Sequence, residues 1–90
     1  MSHERIVEQT QALLDQVGRR CLRAIVSEEL PIARVRRLAK FCFGCMNQKH
    51  ELPDRVERYG YREIDKVMRF VQSACQELAA IVDEEHDKER

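Results

Sequence analysis

Ninety residues is the length of one small domain, and 43% hydrophobic with 36% charged residues excludes a disordered or collagen-like chain. Sixteen Lys and Arg balance sixteen Asp and Glu, so net charge alone draws the chain to neither nucleic acid nor an anionic membrane. No apolar run approaches the length of a membrane span.

The first residues carry no apolar stretch behind a positive segment, so the reading is a cytoplasmic protein without a secretory signal. Reduced thiols are then the default for Cys21, Cys42, Cys45 and Cys75, because disulfide scaffolds belong mostly to small secreted chains. Over the first thirty positions Ile6, Thr10, Leu13, Val17, Cys21 and Ala24 recur at helical spacing, with Val7, Leu14 and Ile25 beside them. This predicts a long amphipathic helix 1, started at Ser2 and ended by Leu30-Pro31, since a residue before proline avoids the α region.

Pro31 suits the first turn of a second helix. There Ile32, Val35, Leu38, Ala39, Cys42 and Met46 are placed on a core side, with Arg34, Arg36, Arg37 and Lys40 on the other. Helix 2 is read as short and basic, ending near residues 47–50, ahead of Leu52-Pro53-Asp54.

In the third segment Tyr61, Ile64, Met68, Val71, Cys75, Leu78 and Val82 alternate spacings of three and four, an a/d heptad pattern. Val67, Ala74 and Ile81 widen the stripe, so helix 3 is expected to touch two neighbours. Two starts for it stay open, near Asp54 or after Gly60. Residues 83–90 are nearly all charged and are read as a fraying tail of the single domain, 1–90.

No segment alternates with period two and no internal repeat is visible, so the fold class is all-α. Two long helices and one short one leave apolar stripe uncovered. The simplest cover is a second copy, giving a helical bundle across a homodimer with Ile64, Met68, Val71, Cys75, Leu78 and Val82 as dimer or core seam.

Cys42-Phe43-Gly44-Cys45 is the one local motif with a chemical reputation. It lacks the strand before it and the helix start that a thioredoxin-like site needs, and Cys21 and Cys75 are single thiols on other helices. Buried structural cysteines are the reading; a metal site drawing on Cys42, Cys45 and His50 is the alternative. His3 and His86 sit at the chain ends, no serine elbow or phosphate loop exists, and neither catalysis nor a cofactor is expected.

Charge is local rather than net. Over 19–40, Arg19, Arg20, Arg23, Arg34, Arg36, Arg37 and Lys40 face only Glu28 and Glu29, while the acids of 77–90 outnumber the bases. Phe41, placed between Arg34 and Arg37 opposite the core stripe, is expected to be an exposed ring among guanidinium groups, the composition of protein-binding hot spots. Leu22 and Val26, one turn apart and off the main stripe, extend that partner surface. The function expected is a non-enzymatic interaction protein that regulates a larger protein partner by helical packing, such as an inhibitor of a transcription regulator or a small adaptor or chaperone. The alternative is a dimer binding nucleic acid through the basic helix.

Overall fold

In the computed structural model the backbone is described for residues 2–88 and the side chains for residues 4–81. Three helices, α1 (Ser2–Ser27), α2 (Ile32–Tyr59) and α3 (Arg62–Lys88), account for the fold, with no strand among the described residues. α1 ends at Ser27, just ahead of Leu30-Pro31, and the Pro31 carbonyl accepts from the Val35 N–H at 3.1 Å to start α2. Gly60 ends α2 with φ 85°, a backbone that a side chain at that position strains against. Thus α3 starts after Gly60, and residues 54–59 belong to α2.

Helix 2 is not short. It is the longest of the three, with Pro53 in its interior. A proline there has no N–H to give the carbonyl four residues earlier, which is that of Lys49. α1 supplies the missing donor: the Gln11 Nε2 donates to the Lys49 carbonyl at 2.7 Å. Asp15, one turn along α1, binds the Lys49 ammonium at 3.0 Å, so Lys49 is held at both main chain and side chain. Leu52 beside the proline is fully buried and Val56 packs against the core, which rewards carrying the helix on.

The helices run up, down and up. Gln11 meets Lys49 and Gly18 meets Cys42 and Cys45, an antiparallel register; Arg37 meets Glu77, Phe41 meets Phe70 and Arg55 meets Glu63, a second one. Leu14, Val17, Cys21, Leu38, Cys42, Cys45, Leu52, Val67, Val71, Ala74 and Ile81 form a single core within this one chain. The seam of α3 accordingly centres on Val67, Val71, Ala74 and Ile81. Ile64, Cys75 and Leu78 are half-buried against it, and Met68 stands exposed at its edge. The strip is turned about one position from the heptad row because α3 lies against α1 and α2 together. The Val82 side chain is outside the described residues. So are Glu89 and Arg90 of the charged tail, whose backbone is helical to Lys88.

Two glycines set the close approaches. A Cβ on Gly18 would stand 3.3 Å from the Cys45 Cβ, and one on Gly44 would meet the Phe70 ring tip at 2.3 Å. A side chain at Gly44 therefore requires Phe70 to move, whereas at Gly18 the Cys45 side chain would have to give by a few tenths of an ångström. No described helix is long and apolar enough to cross a membrane.

Candidate functional site

The C-x-x-C motif is a packing device. Cys42 and Cys45 face the core from the middle of α2, Gly44 receives the Phe70 ring of α3, and Cys45 lies on Gly18 of α1. Three helices therefore meet at this tetrapeptide. Cys21 joins the same core, and Cys75 is half-buried at its edge, lining a cavity of about 340 Å³ with Arg20, Arg23, Ala24 and Leu78. Burial pushes the Cys21 thiol up to about 11 and the Cys45 thiol up to about 12, with the neighbouring thiols adding to both. Burial in the apolar core disfavours the thiolate form of both. All four cysteines are free of disulfides. His50 is exposed, and no group of three or more His, Cys, Asp or Glu among the described residues is arranged to hold a metal ion.

The basic face of α2 divides in two. Arg34 and Arg37 turn toward α3, where the Glu77 carboxylate takes both, at 3.7 and 3.2 Å. Phe41 goes with them. Its ring packs against the core and meets Phe70 edge-on, with centroids 5.5 Å apart and planes at 62°. The expectation of Phe41 as an exposed ring between free guanidinium groups is therefore corrected. An α3 lying on that flank covers Arg34 and the ring together and leaves Arg37 half exposed at the edge, which the periodicity of α2 alone does not reveal.

Five exposed apolar side chains lie on the opposite flank, while Ile6 near the start of α1, Tyr59 and Tyr61 around Gly60, and Met68 on α3 are exposed elsewhere. Leu22 and Val26 of α1 are 52% and 76% exposed; Ile32, Phe43 and Met46 of α2 are 66%, 66% and 52% exposed. Ile32 and Met46, placed in the core stripe by spacing, are thus surface residues, and Phe43 is an exposed aromatic in the middle of α2 that spacing alone did not single out. The signal for it was present: Phe43 and Met46 stand three apart on the side of α2 away from Arg37, Phe41 and Gly44.

One further polar site ties the end of α2 to α3. Glu63, buried in the first turn of α3, takes Arg55 of α2 at 2.9 Å and Lys66 at 3.1 Å. The Arg55 hydrogen bond, then that of Lys66, holds its carboxyl below the usual range. Asp15 is likewise held low, chiefly by the Lys49 hydrogen bond. These groups fasten helices, and Glu63 and Lys66 also line a cavity of about 250 Å³ with Tyr59 and Arg62.

Compared with known proteins, the chain matches no family model, no curated protein and no solved structure.

Proposed function

We propose that this protein is a non-enzymatic helical interaction module of the cytoplasm that regulates a larger protein by offering it the outer face of the α1–α2 pair. One observation carries the reading: five of the nine exposed large apolar side chains among the described residues, Leu22, Val26, Ile32, Phe43 and Met46, share the side of the α1–α2 pair opposite the residues that contact α3. Apolar surface gathered in this way, rather than scattered singly, marks association sites. None of the five belongs to the buried core or to the half-buried side chains packed against it. The four free thiols fit a reducing compartment.

A photo-reactive amino acid placed at Phe43, with the same probe at the exposed Gln72 of α3 as control, tests the assignment inside the native cell. A discrete protein adduct at position 43 and none at position 72 is the expected result. Equal labelling at both, or none at 43, overturns the use of this face.

A further inference from the structure

The outer face has a shape and a charge that together specify its occupant. On α2 the residues turned to α3 are Arg34, Arg37, Phe41 and Gly44; Ile32, Ala39, Phe43 and Met46 form the opposite flank. On α1 the residues turned to α3 are Arg20 and Ala24, which share a cavity with Cys75 and Leu78. The row facing α2, Gln11, Asp15 and Gly18, continues into Leu22 and Val26. Because Gly18 lies against Cys42 and Cys45, the antiparallel register sets Leu22 level with residues 38–41 and Val26 level with residues 34–37. The two exposed rows therefore border one furrow between the helices. From Ile32 to Met46 it runs about 21 Å, at 1.5 Å per residue.

The rim of this furrow is cationic. Between Ile32 and His50 the chain has no acidic residue, and Arg36 and Lys40 stand exposed beside the apolar row. Across the furrow Arg19 is exposed, while Asp15 is already taken by Lys49 and Arg19; Glu29 lies in the connection between the helices.

A second copy docked by this face about a two-fold axis would set Arg36 and Lys40 against their own images with no acid between them, which opposes self-pairing. A lipid surface is the weaker match. The interfacial anchors are missing, with no Trp in the sequence and neither Tyr on this flank, and a furrow between two helices offers a groove rather than a plane. Helices pack into such a furrow at ordinary interaxial distances, and acidic flanks on the incoming helix would neutralise the rim.

We infer that the α1–α2 furrow receives one amphipathic helix of an acidic protein partner, about four turns long. Its apolar anchors at i, i+4, i+7 and i+11 lie between Leu22, Val26, Ile32, Phe43 and Met46, and its Glu or Asp flanks pair with Arg36 and Lys40. This rests on the assignment of the outer face as the docking surface made above.

The test uses the full chain and two labelled 18-residue helical peptides with identical Leu anchors, one flanked by Glu and one by Lys, followed by fluorescence anisotropy. The Glu peptide is expected to bind roughly tenfold tighter than the Lys peptide at low salt, with the margin shrinking as salt rises. Arg36→Glu with Lys40→Glu is expected to reverse the preference, and Phe43→Ser to weaken both peptides while the circular dichroism spectrum stays helical. Equal binding of the two peptides overturns the inference. So does partition onto phosphatidylserine vesicles with neither peptide bound, or a dimer in sedimentation that Phe43→Ser dissolves. A photo-adduct at position 43 without an acidic preference sinks only the acidic-helix inference; absence of that adduct sinks the docking face itself.

Discussion

Two rows of apolar side chains run along α2, and the difference between them separates stability from recognition. The inner row, Leu38, Cys42, Cys45 and Leu52, is closed off by α1 and α3; the outer row, Ile32, Phe43 and Met46, is left to solvent. Both rows are apolar in sequence. Area removed from water, not residue type, decides which contributes to folding. Substitutions therefore divide by row.

The largest effect is expected at the inner row. Leu38 is fully buried, and Leu38→Ala is expected to lose about 2–5 kcal/mol of unfolding free energy in a urea titration. A loss below 1 kcal/mol would mean that the inner row is not the core.

Next comes the link that lets α2 carry its buried Leu52 past Pro53. Gln11→Ala strands the Lys49 carbonyl and is expected to cost about 1–3 kcal/mol. Pro53→Ala restores a helical donor to that carbonyl, so the cost of Gln11→Ala should shrink markedly in that background. Additivity of the two substitutions would show that Gln11 contributes by packing rather than by replacing the proline's missing N–H.

A pH effect follows from Glu63 and Asp15. Both carboxyls are depressed in the folded state by their cationic partners, so folding binds fewer protons than the unfolded chain. Their contribution is present above the ordinary values of 4.5 and 3.8 and is lost as pH falls through the lower, folded values. Thermal midpoints should therefore drop on acidification below pH 4.5, and Glu63→Gln should flatten that slope. An unchanged slope in Glu63→Gln would remove Glu63 as its source.

The smallest stability effect belongs to the outer row. Phe43→Ser is expected to shift unfolding free energy by no more than about 0.5 kcal/mol, as surface changes do. A loss comparable to that of Leu38→Ala would erase the distinction between the rows.

The fold class was legible because helical periodicity is strong in every segment. The exposure of Leu22 and Val26 was legible as well, since both fall outside the α1 stripe. The rotation of α2 was not. Its sequence offers two apolar flanks and a run of cations between, and either flank satisfies a wheel drawn for one helix. Which flank goes inside depends on Glu77 and Phe70, some thirty to forty residues away, capturing Arg34, Arg37 and Phe41. The length of α2 was hidden for a similar reason, because Gln11 compensates Pro53 from another helix.

The sequence by itself determined that the chain is helical, that α1 stops ahead of Leu30-Pro31, and that no described helix is long and apolar enough to cross a membrane, because local spacing, proline and charge act within a few residues. Only the tertiary structure decided that α3 closes its seam inside the chain, that the C-x-x-C thiols are core, and that Phe43 rather than Phe41 faces outward. Those outcomes depend on which helices meet and at what rotation, and the contacts that fix both join residues remote in the chain.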